Sequence, residues 1–152
     1  MKHKSLIIIS ICLFFFILVM AVIVHLQLNR QSSTQELSIE FLQFDKKISA
    51  CKSRKLDNKI LLITSKYCPH CKKVVDLILP LIKKYHLTKY FSLFDIINSA
   101  DLHALNELRI STPYVPTLIV NCNAYLGAKD WDQYNKILAE FYSKMNNGKT
   151  IK

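Results

Sequence analysis

Hydrophobic positions divide the chain into an apolar run near the N-terminus and a longer region with regular apolar periods. The run covers residues 6–28 and is long enough to cross about 30 Å of hydrocarbon. A cleaved signal peptide has a shorter apolar core that ends in a small-x-small site, and "AVIVHLQLNRQSS" offers no convincing one. The pattern therefore predicts an uncleaved transmembrane anchor at 6–28, preceded by an N-terminus at 1–5 and followed by a polar linker at 29–35.

Basic residues around this run predict its orientation. Lys2 and Lys4 precede it, and Arg30 is the only basic residue close behind it. The positive-inside bias then keeps the N-terminus in the cytoplasm and sends the chain from about residue 30 onward to the outer side of a bacterial cytoplasmic membrane, the periplasmic or extracytoplasmic side. We expect that compartment to be oxidising, so that a cysteine pair there can form a disulfide.

Beyond the linker, the periods predict alternating helices and strands. Apolar residues after Gln35 recur at steps of four and three, as in an amphipathic helix that stops before "LDNK". The later predicted elements are a strand at 60–64, a helix after Cys71 kinked by Pro80, a strand at 90–96, a helix capped by Ser99 and running to about Arg109, strands at 117–121 and up to 127, and a helix at 130–145. This order predicts an α/β domain over residues 36–146, with a small mixed sheet flanked by helices, parallel pairing and a closing antiparallel hairpin. A flexible tail is expected at 147–152.

Composition narrows the function classes. The chain has 152 residues, enough for one domain and an appendage, and a net charge of +10. Its lysines are spread along the chain, and a cluster between Lys46 and Lys59 lies where it could contact anionic lipid head groups. The sequence contains no basic stripe interleaved with aromatic residues, so nucleic-acid binding is not indicated. The two glycines argue against a glycine-rich phosphate loop.

The stretch "SKYCPHCKK" carries the candidate chemistry. Cys68 follows the predicted strand and precedes Pro69, whose fixed φ suits the first helical position. Unpaired N–H groups at a helix start favour a thiolate, so the pKa of the Cys68 thiol should lie below its free value of about 8.5. His70 and three nearby lysines add donors or positive charge, whereas Cys71, one turn inside the helix, should be less exposed.

This asymmetry is the one that disulfide exchange requires, with Cys68 as nucleophile and Cys71 as resolving thiol. A zinc half-site is the first alternative, but it needs two further ligands, and no second C-x-x-C or H-x-x-x-H appears. A purely structural disulfide is the second, and it would not explain the placement between a strand and a helix. We therefore expect a redox-active disulfide and require no metal or organic cofactor.

Two segments together resemble the thioredoxin superfamily. "ILLITSKYCPHCKK" resembles its strand, active-site turn and helix, and "YVPTLIV" resembles its second signature, a residue before a cis-proline that opens a strand. The resemblance covers about residues 35–146. It implies that the Val115–Pro116 bond is cis and faces the cysteines, and that Val115, Pro116, Thr117 and Tyr67 form the substrate-facing edge.

The dipeptide Pro69–His70 is similar to that of the bacterial Dsb-type disulfide oxidases, in which the histidine helps to stabilise the thiolate. This similarity implies an oxidising enzyme, although the helical insertion of those oxidases is missing. Leu62 stands where thioredoxins carry a buried acid six residues before the first cysteine. "VNCNAYLGAKDW" resembles the hairpin of glutaredoxins, but Lys66 is one place away from their glutathione-binding lysine, so glutathione is not favoured as co-substrate.

We therefore expect a monomeric, membrane-tethered thiol:disulfide oxidoreductase that exchanges disulfides with exported proteins, in the oxidising direction, and is recharged by a membrane redox partner. A reductase or isomerase, including one for cytochrome c maturation, is an alternative. A thioredoxin-like scaffold subunit of an envelope or secretion complex is another. Cys51 and Cys122 are expected to be free thiols, with a structural disulfide between them as the sharper alternative.

Overall fold

The structure is a computed structural model that describes residues 16–25 and 39–147. Residues 16–25 form a helix, α1, with exposed side chains. Among the residues so described, no helix has both the length and the hydropathy needed to cross a membrane. The remainder of the predicted anchor at 6–28, together with the N-terminus at 1–5 and the linker at 29–35, lies outside the described residues.

Residues 39–147 belong to one compact unit built on a mixed sheet. Its strands are β1 (Glu40–Phe41), β2 (Lys46–Lys47), β3 (Ile60–Thr64), β4 (Phe91–Asp95), β5 (Ile110–Ser111), β6 (Thr117–Val120) and β7 (Asn123–Leu126). Its helices are α2 (Pro69–Lys84), α3 (Ser99–Glu107) and α4 (Trp131–Asn147), with a 3₁₀ turn at Thr88–Tyr90. The five-stranded sheet has the order β2-β7-β6-β3-β4, and β1 pairs with β5 in a separate parallel ribbon. The predicted α/β class, a small mixed sheet flanked by helices, is confirmed.

The central strand β3 explains the continuous apolar run "ILLIT". All five of its residues are buried, because the sheet is covered on both faces. Ile60 and Leu62 lie in the core formed with α2 and α4, whereas Leu61 and Ile63 lie in a second core that includes Leu105 of α3. Each such side chain contributes about 1.5–3 kcal/mol through burial. The strand that leads to the cysteines is therefore held from both sides.

The helix predicted between Gln35 and the "LDNK" segment is wrong. The described part of this segment forms turns and the short strands β1 and β2, which pair with β5 and β7. Of its apolar stripe, Ile48 is buried, but Phe41 and Phe44 are exposed. Pairing with two sheet edges satisfies the backbone of this segment and overrides its local helical periodicity.

Two smaller expectations about the second half of the chain are also corrected. Asn98, not Ser99, caps α3, since its side-chain oxygen accepts hydrogen bonds from the N–H groups of Ala100 and Asp101. Strand β3 pairs in parallel with β4, as predicted, but antiparallel with β6. The short strand β5 and the loop at 112–116 lie between α3 and β6, so the chain reverses once more before it enters the sheet.

The other predicted elements are confirmed with shifts of a few residues at their ends. Strand β7 returns antiparallel to β6, as the hairpin expected from "NCNA" requires. Pro80 lies inside α2, and α4 continues to Asn147, the first residue of the predicted tail. Residues 148–152 lie outside the described residues.

Candidate functional site

Cys68 is the N-cap residue of α2, as its position before Pro69 predicts. Its backbone is extended, with φ −93° and ψ 110°, and Pro69 occupies the first helical turn. The Cys68 N–H donates to the Ser65 carbonyl at 3.0 Å, which closes a tight turn directly after β3. The Cys71 N–H lies 3.1 Å from the Cys68 Sγ. The sulfur of Cys68 therefore takes the place that a capping oxygen occupies in other helices.

Cys68 and Cys71 are joined by a disulfide with a Cα–Cα distance of 5.3 Å, within the usual range. Their exposure differs as expected. Cys71 is only 3% exposed, whereas Cys68 is half-buried. Pro69 and His70 between them are exposed. The sulfur of another molecule can therefore approach Cys68 more readily than Cys71.

The Val115–Pro116 peptide bond is cis, as the family resemblance implies. The Cys68 Sγ lies 3.6 Å from the Val115 carbonyl oxygen, although 47 residues separate them along the chain. The two segments that were singled out in the sequence therefore meet. Pro116 is buried beneath this contact, and Val115 is half-buried.

Thr117 and Tyr67, both expected at the substrate-facing edge, differ in their exposure to solvent. Thr117 is fully buried, and its hydroxyl donates to the Tyr114 carbonyl at 2.6 Å. Its side chain thus holds the loop at 112–116 and does not face solvent. Tyr67 is 75% exposed, with the Lys66 ammonium 4.9 Å from its ring centre.

Sequence reasoning missed Tyr114, which is 52% exposed and directly precedes Val115. Tyr67 directly precedes Cys68, so each of the two contacting segments carries an exposed tyrosine just before its central residue. Exposed aromatic rings offer large apolar area at low cost in side-chain entropy. The place of Tyr114 beside the X-Pro pair was the signal that could have found it.

An open groove of about 430 Å³ lies along the flank of α2. Residues that line it include Cys68 and Cys71, Lys66 and Lys72, and the carboxylates of Asp95 and Asp101. Sequence reasoning did not assign a role at the site to either aspartate. Asp95 is the last residue of β4 and pairs with Thr64, the last residue of β3. Because β3 leads to the cysteines, the end of the next strand was the sequence signal for a residue close to them.

The expectation of free thiols at Cys51 and Cys122 is wrong. The two residues form a disulfide with a Cα–Cα distance of 5.7 Å. Cys51 lies in a turn rather than on a helix, and the Ile48 N–H donates to the Cys122 carbonyl at 2.6 Å. This backbone contact brings residues 39–55, here called the N-terminal segment, against the β6–β7 turn. Cys122 is 1% exposed, so this second pair is shielded on one side.

The same N-terminal segment contains a buried ion pair. Arg54 is 5% exposed, and its guanidinium lies 3.2 Å from Glu40 and donates to the Arg109 carbonyl at 2.6 Å. Glu40 also accepts from Ser49 and contacts Lys46 at 2.8 Å. Burial alone would raise the pKa of Glu40, but these hydrogen bonds together outweigh it and lower the pKa.

Within residues 16–25 and 39–147, no group of three or more histidine, cysteine, aspartate or glutamate side chains is arranged to hold a metal ion. Comparison with known proteins adds no assignment: no protein-family model, curated protein or solved structure matches this chain.

Proposed function

We propose that this chain is a thiol:disulfide oxidoreductase of the thioredoxin superfamily that exchanges disulfides with exported proteins through Cys68 and Cys71. One observation carries the proposal. The half-buried sulfur at the start of α2 is bonded to a buried partner and lies 3.6 Å from the carbonyl of Val115. The membrane tether is part of the proposal and rests on the apolar run at residues 6–28.

The exposure of the two sulfurs favours one order of events in the oxidising direction. A substrate thiolate attacks the Cys68 Sγ, the Cys68–Cys71 bond breaks, and Cys71 leaves with the electron pair and takes up a proton. A second substrate thiolate then attacks the substrate sulfur of this mixed disulfide. The substrate gains a disulfide, and Cys68 leaves as a thiolate. A membrane redox partner that accepts two electrons restores the bond.

The surroundings of Cys68 support the oxidising direction. The Cys71 N–H points at the Cys68 sulfur, and the first turn of α2 contains no acidic residue. Both features stabilise a thiolate, together with the positive end of the helix dipole and the lysines at 72 and 73. Stabilising the reduced form makes the disulfide a stronger oxidant.

The edge at Val115 supports substrate binding. An extended substrate segment can hydrogen-bond to the backbone of this residue, as in other strand-addition complexes. Tyr67 and Tyr114 would then contact apolar side chains on either side of the reacting cysteine. Burial of such rings contributes specificity without a deep pocket.

The deciding measurement is the reduction potential of the Cys68–Cys71 pair in the full-length protein. We expect a value far above that of thioredoxin, about −270 mV. A value near that of thioredoxin would instead indicate a reductase. The Cys51→Ser/Cys122→Ser variant is the matched control, because it removes the other disulfide and should keep the potential.

A binding-only role gives a different outcome in cells. Replacing both Cys68 and Cys71 with serine should abolish the formation of disulfides in exported proteins. If cells that carry this variant behave as the wild type does, the chain acts as a scaffold and the redox proposal fails.

A further inference from the structure

The groove beside the two cysteines contains a carboxylate that the exchange reaction could use. Cys71 is only 3% exposed, but it lines this groove together with Asp95. The volume of about 430 Å³ is ample for water, which needs only about 10–15 Å³ per molecule by a comparable measure. Cys71 and Asp95 therefore border the same water-accessible groove.

Strand register explains why Asp95 lies on this side of the sheet. Leu62 pairs with Leu93, and Thr64 pairs with Asp95, so alternate residues of β4 share the face that packs against α2. Strand β4 is the edge of the sheet, and Leu93 on the same face is 45% exposed. Asp95 therefore lies on the α2 side of the sheet, where it is half-buried and lines the groove.

Backbone N–H groups fix the Asp95 carboxylate. Its Oδ1 accepts from Ile97 at 3.0 Å and, more weakly, from Lys66 at 3.4 Å. Lys66 belongs to the turn that carries Cys68, so the carboxylate is tied to the active-site turn itself. The Asp95 N–H in turn donates to the carboxylate of Asp101 at 2.8 Å.

We propose that Asp95 is the proton carrier for Cys71 during disulfide exchange, an inference that rests on the proposed function. When Cys71 resolves a mixed disulfide, its thiol proton passes through water to the Asp95 carboxylate. The Cys71 thiolate attacks the Cys68 Sγ, the Cys68–Cys71 bond forms, and the partner's sulfur leaves with the electron pair. In the oxidising direction Cys71 is the leaving group, and Asp95 returns the proton to it.

Leu62 bears on which residue of this chain can take the proton of Cys71. Its side chain is fully buried and apolar, so β3 supplies no proton acceptor beneath the cysteines. The other charged or titratable side chains that line the groove are Lys66, Lys72 and Asp101, besides the cysteines. The ammonium groups cannot accept a proton while charged, and Asp101, whose carboxylate accepts the Asp95 N–H, is tested by a variant of its own.

The test separates the two thiol steps in the reduced full-length protein. A chromogenic aryl disulfide releases one coloured thiolate when Cys68 attacks it and a second one when Cys71 resolves the adduct. We expect Asp95→Asn to slow the second phase about 100-fold near neutral pH, with a gap that narrows as the pH rises and Cys71 ionises unaided. Asparagine keeps the oxygen that accepts from the Lys66 and Ile97 N–H groups, so the turn is retained.

Two control variants sharpen this result. Asp76→Asn makes the same charge change at an exposed position of α2 and should leave both phases unchanged. Asp101→Asn should leave the pH profile of the second phase like that of the wild type. A circular-dichroism spectrum and a thermal midpoint like those of the wild type show that Asp95→Asn is folded.

The outcomes distinguish this inference from the function on which it rests. An unchanged pH profile in Asp95→Asn, an equal slowing at every pH, or a change of profile in Asp101→Asn instead would each overturn the role of Asp95. If the wild type releases no second thiolate, the dithiol chemistry fails as well. A Cys68→Ser/Cys71→Ser variant sets the baseline, which is the thiolate released by reaction with Cys12, Cys51 and Cys122.

Discussion

The two disulfides of this chain have similar Cα–Cα distances, 5.3 Å and 5.7 Å, but very different surroundings. Cys68–Cys71 spans three residues at the exposed start of a helix, with a backbone N–H directed at the outer sulfur. Cys51–Cys122 spans 71 residues and ties a turn to a hairpin, with Cys122 almost fully buried.

The difference teaches that a cysteine pair acquires its role from access and from the length of chain that it closes. An accessible sulfur with a stabilised thiolate can exchange. A long closed loop restricts the unfolded chain and therefore stabilises the fold, whereas a three-residue loop restricts it little. We infer reactivity for the first pair and a stabilising role for the second.

The largest expected effect is on exchange itself. Cys71→Ser should abolish turnover and trap partner proteins on Cys68, because no resolving thiol remains to release them. Adducts should appear on non-reducing gels and disappear with reductant. Cys51→Ser/Cys122→Ser, in contrast, should keep the exchange rate within about 2-fold, since distant sites act independently. Adducts that persist in Cys68→Ser/Cys71→Ser would contradict the assignment.

Stability should show the reverse order. Cys51→Ser/Cys122→Ser should lower the free energy of unfolding by about 4 kcal/mol, the loop-closure contribution for a separation of 71 residues. Cys68→Ser/Cys71→Ser should lower it by less than about 2 kcal/mol, because its loop is short and a strongly oxidising disulfide adds little to the stability of the fold. Urea unfolding of both variants measures the contrast. Equal losses would remove the distinction between a reactive and a stabilising pair.

The buried ion pair should support the same segment as the second disulfide. Glu40→Gln should lower the free energy of unfolding by about 3 kcal/mol at pH 7, because Arg54 keeps its charge in a buried place. The pKa of Glu40 is lowered in the folded protein. Its contribution is therefore present above the ordinary pKa of 4.5 and is lost as the pH falls through the lower folded value.

Unfolding measured at pH 7 and again at pH 3 checks this prediction. The difference between wild type and Glu40→Gln should shrink at the lower pH, where the carboxyl group begins to take up a proton. A difference that grows on acidification would contradict the sign of the pKa change.

The smallest expected effect is at His70. His70→Ala should raise the pKa of the Cys68 thiol and make the reduction potential of the pair more negative by about 30 mV, which is a tenfold change in the equilibrium. His103→Ala is the matched control, since His103 is an exposed histidine on α3. An unchanged reduction potential in His70→Ala would show that the histidine does not stabilise the Cys68 thiolate.

The parts of the structure that follow from short stretches of sequence were predictable. Pro69 after Cys68 predicts a helix start with the cysteine as cap, and "ILLIT" predicts a buried strand, because both signals are local. The meeting of Cys68 with Val115 was expected only through the family resemblance, since no spacing along the chain specifies it.

The parts that depend on tertiary contacts were not predictable in the same way. The stripe that contains Ile48 and Cys51 has helical spacing, yet pairing with β5 and β7 determines its structure. Once that helix was assumed, the bond between Cys51 and Cys122 could not be foreseen. Asp95 likewise gains a candidate role only because its strand lies at the sheet edge beside α2.

Strand β6 has a consequence for the chain's own chemistry. It begins directly after Pro116, close to the Cys68 sulfur, and ends two residues before Cys122. Four extended residues span about 13 Å, far more than the contact distance at which sulfur atoms swap partners. A rigid spacer of this kind separates the two sulfur pairs, so that exchange at Cys68, as proposed, would leave the Cys51–Cys122 bond intact.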